Sequence, residues 1–454
     1  MDRVRSFVLA VVALAFLAGA AAPVLARDHF VAPRTTAAND GAPPDGTAAA
    51  PWPSARAALA SDRVAGGDRI VLLPGSHGHI DVVTDTFDPP VVVEPADPSA
   101  VHVDRITVRR GAGLTFRDLR VWPTDPAVTG RHAHVETTDR TARIRFENLD
   151  IRSVVDAPDR YLSWDRQDWR SGPARRNAVR IAGPDSALTG SRVTGVNFGV
   201  TVRRSALRAE IRGNHVLGFA GDAYRALSND SIFAENRAEN CVKVNDNHDD
   251  AFQSWSPRIA VEGAANDVRN VTIERNVVLE WTAAPHPLRC RLHGVGLFDG
   301  PYRNFVIRNN AIVVSAFHGI ALYNVQDSTI VNNSVVHADG KVGGNPWIML
   351  NEKSTSEATL SRDNVVAGNI AHSYRVETVR PQPVDRTENA LIGSAARQFP
   401  GLDRGDLSLP ADSPFLDRAP PHTAPSHDLT GTPRPQGSGP DFGANERVGA
   451  RDPF

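Results

Sequence analysis

His293-Gly-Val-Gly-Leu-Phe-Asp299 is followed by a near copy, His318-Gly-Ile-Ala-Leu-Tyr-Asn324, and Phe198-Gly-Val-Thr-Val202 fits the same template upstream. Such short apolar runs read as strands rather than helices. A second column keeps step with them. A hydrophobic residue stands three positions before an Asn at Ile211 and Asn214, Phe233 and Asn236, Ile273 and Asn276, Ile307 and Asn310, Ile330 and Asn333, and Val366 and Asn369. The tightest intervals, Asn214 to Asn236 and Asn310 to Asn333, are 22 and 23 residues. A period in the twenties, with Val- and Ile-rich runs broken by Gly, Asn and Asp, predicts a solenoid of stacked strands. The recurring Asn reads as structural, because its amide bonds to the Asn above and below and satisfies turn backbone.

Aligned on this template, Gly199, Asp222, Asp250, Gly294 and Gly319 share one column, and Phe198, Gly221, Asp249, His293 and His318 the column before it. Neighbouring strands lie about 4.8 Å apart, so Asp222 and Asp250 become stacked neighbours. Asp222, then Asp249 and Asp250, then His293 thus gather acids and bases on one face of successive coils. The spacing from Asp222 to Asp250, and again from Asp250 to Gly294, exceeds one bare coil. Insertions beside a rigid ladder are where a solenoid builds a binding cleft.

The chain as a whole narrows the choices. Residues 1–26 read as a secretory signal, with Arg3 and Arg5 ahead of the apolar run Phe7 to Ala22 and Val24-Leu25-Ala26 at the cleavage position. A secreted protein is expected, with no membrane span after cleavage. A net charge of −2 gives no basic footprint for nucleic acid. Lys occurs only at Lys243, Lys341 and Lys353. Cys241 and Cys290 read either as one disulfide flanking the acidic cluster or as two buried thiols.

An Ala-rich segment from Ser54 to Ala65 predicts a helix capped by Ser54, and Arg69 to Leu73 the first strand. With His29-Phe-Val-Ala-Pro33 before them, these pieces resemble the opening of secreted β-helix proteins of the pectate-lyase-like superfamily. Ser413-Pro-Phe-Leu-Asp417, Asp428 to Pro435 and Pro440 to Glu446 resemble their C-terminal segment. The resemblance implies an all-β, right-handed parallel β-helix with an N-terminal capping helix and an extended C-terminal cap. The expected division is 1–26 signal, 27–390 β-helix and 391–454 cap. Coils run from about residue 90 to 375, interrupted near Arg152 to Arg176, where Tyr161, Trp164 and Trp169 read as aromatics packed on the solenoid, or else as sugar platforms.

Gly221-Asp-Ala-Tyr-Arg-Ala226, Glu239-Asn-Cys-Val-Lys243 and Asn247-His-Asp-Asp-Ala-Phe-Gln-Ser-Trp255 resemble the calcium-dependent pectate lyases of polysaccharide lyase family nine. That resemblance implies Ca²⁺ held by Asp222, Asp249, Asp250 and Gln253, the last through a carbonyl oxygen, and an acidic polysaccharide as partner. The family's catalytic Lys falls near Gly296, so the candidate bases are Lys243, Arg225, His248 and His293. Three adjoining carboxylates repel, and either a cation or a raised pKa must relieve them. The expected reaction is β-elimination on a uronate-containing chain. Alternatives are an inverting polygalacturonase-like hydrolase, from Asp222, Asp249, Asp250 and His293, a uronan C5-epimerase, from Asp246-Asn-His-Asp249, and a non-catalytic carbohydrate-binding scaffold.

Overall fold

The computed structural model describes residues 26–33, 43–125, 132–256, 266–341, 343–353, 360–377 and 388–448. Apart from Ala26, the expected signal lies outside them. The described chain winds through three parallel faces. The first, the site face, stacks Phe198–Val202, Tyr224–Ala226, Asp250–Trp255, His293–Asp299, His318–Tyr323 and Trp347–Asn351. The second stacks Glu210–Arg212, Ile232–Ala234, Thr272–Glu274, Val306–Arg308, Thr329–Val331 and Val365–Ala367. The third runs from Arg120–Val121 through His215–Phe219 and Ala311–Val314 to Ala390–Leu391.

Inward residues of the three faces meet in one continuous core. Val200, Tyr224, Phe252, Val295 and Ile320 come from the first face, Ile211, Phe233, Ile273 and Ile307 from the second, and Val216, Val278, Ile312 and Val335 from the third, all of them buried. Burying each such side chain stabilises by roughly 1.5–3 kcal/mol. Tyr224 and Phe252 stack with ring centroids 5.0 Å apart.

The Asn column sits where the second face turns into the third. Asn276 shows the pattern: its Oδ1 accepts from the backbone N of Asn236 at 2.8 Å and from the Asn236 side chain at 3.1 Å. Its own Nδ2 donates to the Phe233 carbonyl at 2.9 Å and to Asn310 Oδ1 at 3.0 Å. The same bonds run from Asn214 to Asn389. Asn389 escapes the sequence pattern because Arg386, not an apolar residue, stands three positions before it. The residue preceding each Asn from Asn214 to Asn369, including Glu235, Arg275, Asn309 and Asn332, has positive φ. A left-handed residue costs roughly 1–2 kcal/mol when it is not Gly, and the Asn amide offsets this by closing the turn.

At the N-terminal end the stack begins earlier than expected: Asp28–Val31 already pairs with Arg69–Leu72. The helix is also shorter than the Ala-rich segment and spans Ala55–Leu59, capped by the Ser54 hydroxyl, which accepts from Ala57 N at 3.1 Å. Ala55, Ala58 and Leu59 are its buried residues, and the chain turns once they are covered. The aromatics of the 152–176 insertion pack inward. Trp169 is 1% and Tyr161 4% exposed, and Asn240 donates to the Tyr161 hydroxyl at 2.7 Å. The C-terminal segment runs back over earlier coils, where Asn332 donates to the Asp441 carbonyl and Ala444 N to Ser334 Oγ. It is pinned by the buried Arg434–Glu446 ion pair at 2.8 Å.

Candidate functional site

One register correction reshapes the site. Asp250 pairs with His293, and Phe252 with Tyr224 and Val295. Asp222 and Asp250 therefore belong to the column of Phe198, His293, His318 and Trp347, not to that of the glycines. The glycines align instead with Ala223 and Ala251. The physical reason is space. A Cβ on Gly199 would meet the Ala223 carbonyl at 2.3 Å, on Gly294 the Gly319 carbonyl at 2.1 Å and Ile312 at 2.7 Å, and on Gly319 a Val335 methyl at 2.1 Å. At those three positions not even a Cβ fits, and at the two remaining positions of the column the chain places Ala223 and Ala251, the next smallest residue. The residue ahead of each small one projects toward the site.

Each acid in the cluster has its own protein counter-charge. Asp222 Oδ2 accepts from Arg225 Nε at 2.6 Å, and Oδ1 from Asp250 N at 3.3 Å. Burial pushes the Asp222 carboxyl up to about 6, against the pull of Arg225 and with the push of Asp250. Asp249 Oδ2 accepts from Lys243 Nζ at 3.0 Å, and Lys243 also donates to the Asn247 carbonyl. Asp249 Oδ1 is buried with no hydrogen-bond partner among the described residues. Burial raises this carboxyl as well, to about 6.

Asp250 behaves in the opposite way. It is fully buried, with His248 Nδ1 at 2.8 Å and Gln253 Nε2 at 3.0 Å from Oδ2, and His293 Nδ1 at 3.2 Å from Oδ1. Burial alone would raise its carboxyl, but the bonds from His248 and His293 hold it below the ordinary carboxylate value. The Asp250 bond in turn raises His248, favouring its charged form. His318 is different again: it accepts the Trp347 indole N–H on Nδ1 at 3.0 Å, and burial lowers it to about 4, so it is neutral at pH 7.

A cleft of about 370 Å³ opens over the histidines, with His248, His293, His318, Gln253, Trp255, Phe298, Phe317, Tyr323 and Lys353 among the residues that line it. Of the sequence candidates, His248, His293 and Gln253 reach the cleft. Arg225 instead lies over the Phe198 ring, 3.5 Å from its centroid, and Lys243 is held by Asp249. Gly296 clears the space above the acid: a Cβ there would meet Asp250 Oδ1 at 2.7 Å and Phe298 at 2.5 Å. Phe298, Phe317, Tyr323 and Lys353 were not singled out as site residues by sequence reasoning; their signal was their place in or beside the repeated His-Gly strands. His318, which the repeat template sets in one column with His293, lines the cleft too.

Cys241 and Cys290 form a disulfide with Cα atoms 5.4 Å apart. It ties the strand leading to Lys243 to the segment leading to His293. Among the described residues, His248, Asp250 and His293 present ligand atoms within 4.8 Å of one another, a group able to hold a metal ion, and the disulfide sulfurs lie as close to Asp249. Asp222, Asp249 and Asp250 make no such group.

No protein-family model matches the chain, and no curated protein matches it in sequence. Among solved structures it is similar to the pectate lyase Pel9A, at 15% identity and a TM-score of 0.50, over 93% of this chain and 96% of that one. The chain has the fold of the pectate-lyase-like, right-handed parallel β-helices. Weaker likenesses are a mannuronic acid specific polysaccharide family 6 lyase from human gut microbiota (14%, TM-score 0.40, covering 78% of this chain and 82% of that one) and the A-module of Azotobacter vinelandii mannuronan C-5 epimerase AlgE6 (12%, 0.42, covering 70% and 92%). No helix among the described residues is long and apolar enough to cross a membrane.

Proposed function

We propose that this β-helix is a secreted polysaccharide-active enzyme that cleaves a uronate-containing chain by β-elimination, with a histidine pair anchored on Asp250 as base and acid. The observation that carries this reading is that Asp250, fully buried, bonds Nδ1 of both His248 and His293, two rings that line the cleft. An imidazole that donates through Nδ1 keeps its Nε2 lone pair for a proton. His293, the more enclosed ring, is assigned to take the C5 proton. His248, held toward imidazolium, is assigned to protonate the departing O4. The electrons of the C5–H bond become the C4–C5 double bond as the C4–O4 bond breaks. Lys353 on the cleft wall, paired with the exposed Asp299 at 3.2 Å, is assigned to turn its charge to the uronate carboxylate, which acidifies C5–H.

The calcium implied by the family resemblance does not fit this donor set. Ca²⁺ takes 6–8 oxygen ligands, whereas Arg225 and Lys243 hold one oxygen each of Asp222 and Asp249, two imidazoles flank Asp250, and Asp249 Oδ1 is left as a single unpartnered oxygen of the cluster. No step is routed through it. The N, O and N donors of His248, Asp250 and His293 suit a later first-row metal better. The hydrolase alternative draws on the raised carboxyls of Asp222 and Asp249, but neither lines the cleft, while an inverting hydrolase needs two carboxyl groups facing substrate.

The test is to incubate the protein with pectate, alginate, glucuronan and glycosaminoglycans, with calcium or with chelator, and to follow the absorbance of unsaturated uronide. Signal on one polymer that survives chelation and disappears in His293→Ala supports the proposal. Reducing ends without unsaturation would select the hydrolase, and altered uronate stereochemistry without cleavage the epimerase. Binding without product would leave a scaffold.

A further inference from the structure

The rings of the site do not stop at the histidines. Phe317, 39% exposed, stands 5.1 Å from the His293 ring and 5.1 Å from Trp347, centroid to centroid. Trp347 is fixed by its indole bond to His318, and the Arg375 guanidinium lies over its ring, 3.7 Å from the centroid. Trp347 follows His318 in the site column, and Arg375 is reached one coil further on. Trp347 is thus two strand spacings, about 10 Å, from His293. Two adjoining pyranose rings bridge that separation.

Arg375 differs from the other arginines of this face. Arg105 and Arg180 are paired with Glu136, and Arg225 with Asp222. Arg375 is exposed, and no carboxylate is paired with it among the described residues. Stacking on an indole orients a guanidinium without using its N–H donors, which remain available for a planar, two-pronged bond to a carboxylate. An exposed Phe beside it offers a flat apolar surface to the C–H face of a sugar.

We infer that Phe317, Trp347 and Arg375 form an outer sugar site that reads the carboxylate of a uronate about two rings from the bond cut. The inference rests on the acidic-polysaccharide reading for its ligand class and goes beyond it by naming a specificity residue remote from the chemistry. Phe317 supports the ring between the two sites, and Arg375 makes the enzyme prefer a polymer charged at successive residues over one charged only at the cleavage point.

The probes are tetragalacturonate, tetramannuronate and their carboxyl-reduced counterparts, titrated calorimetrically onto the full chain in a His293→Ala background, with and without Arg375→Ala or Arg375→Lys. The expected result is that one acidic tetrasaccharide binds about tenfold or more weakly to Arg375→Ala, through loss of a charge-assisted bond. Arg375→Lys should fall between, and the carboxyl-reduced sugars should bind all forms alike. In turnover, Arg375→Ala should raise KM more than it lowers kcat. Unchanged affinity in Arg375→Ala overturns the inference, as does equal weakening for reduced and acidic sugars, or no binding of any probe. Arg375-dependent binding without any unsaturated product would sink the β-elimination proposal while sustaining this one.

Discussion

Two columns of polar residues run through successive coils, the Asn column between the second and third faces and the Asp and His column at the edge of the site face. Both are largely buried, and each residue in them stands on its neighbour in the next coil. In the Asn column, Asn276 uses its acceptor and its amide hydrogens within the fold and carries no charge. In the other, Asp222 is pushed to about 6, Asp249 beside the column is raised likewise and keeps an oxygen without a partner, and the histidines open onto a cleft. Stacking is therefore neutral with respect to function. A saturated column holds the fold together, and an unsaturated one holds charge where a ligand can reach it.

The largest separation between the columns should come from His293→Ala. We expect kcat to fall about 10²- to 10⁴-fold, the usual worth of a positioned acid or base, with thermal stability nearly unchanged. Asn276→Ala should do the reverse. It leaves the buried backbone and side-chain N–H donors of Asn236 without their acceptor and takes a donor from the Phe233 carbonyl and Asn310 Oδ1, which costs about 3 kcal/mol by denaturant titration, while kcat at a temperature where the variant stays folded is kept. Equal loss of activity in both would erase the distinction. Gly296→Ala sits between these extremes. A methyl 2.7 Å from Asp250 Oδ1 and 2.5 Å from Phe298 must displace one of them, and kcat should drop about ten- to a hundredfold through misplacement of His293.

The smallest effect is the most diagnostic. A carboxyl whose folded pKa lies above its ordinary value of 3.8 holds its proton more tightly in the folded chain. The stability that Asp249 contributes is thus fully present below pH 3.8 and is lost as pH rises toward 6. Asp249→Asn should gain about 1 kcal/mol at pH 8, as relief at a strained site commonly does, and nothing at pH 4. Asp250, held low by its histidines, carries the opposite sign and loses its contribution as pH falls. A melting-temperature profile of wild type and Asp249→Asn from pH 4 to 8 reads Asp249, whose raised carboxyl parallel profiles would refute, whereas the Asp250 loss falls below pH 3.8.

The coil period, six of the seven Asn from Asn214 to Asn389 and the face carrying Asp222, Asp250 and His293 were legible because each depends on local spacing. The one-residue slip was not, because the template was matched on glycine, whereas Ala223 and Ala251 hold the same column in two of the coils. Once Ala223 and Ala251 are recognised as equivalents of Gly294, Asp250 falls beside His293. The cleft aromatics stayed hidden for another reason. Phe298 meets His318, and Phe317 meets His293 and Trp347, only through the stacking of coils from separate stretches of chain, and no spacing along the sequence reports a ring-to-ring contact. Trp164 and Trp169, more conspicuous in the sequence, turned out to pack against each other beneath their own insertion.

The small-residue column has a consequence for how such a protein changes. Because the coil is held in place by backbone pairing and by the tight fit behind Gly199, Ala223, Ala251, Gly294 and Gly319, the residue just ahead of each one is left out of that fit. Phe198, Asp222, Asp250, His293 and His318 show how varied it can be. Each coil works as a socket of fixed shape into which an acid, a base or an aromatic ring can be set, so that a new reaction could be assembled by exchanging single letters along one line without redrawing the scaffold.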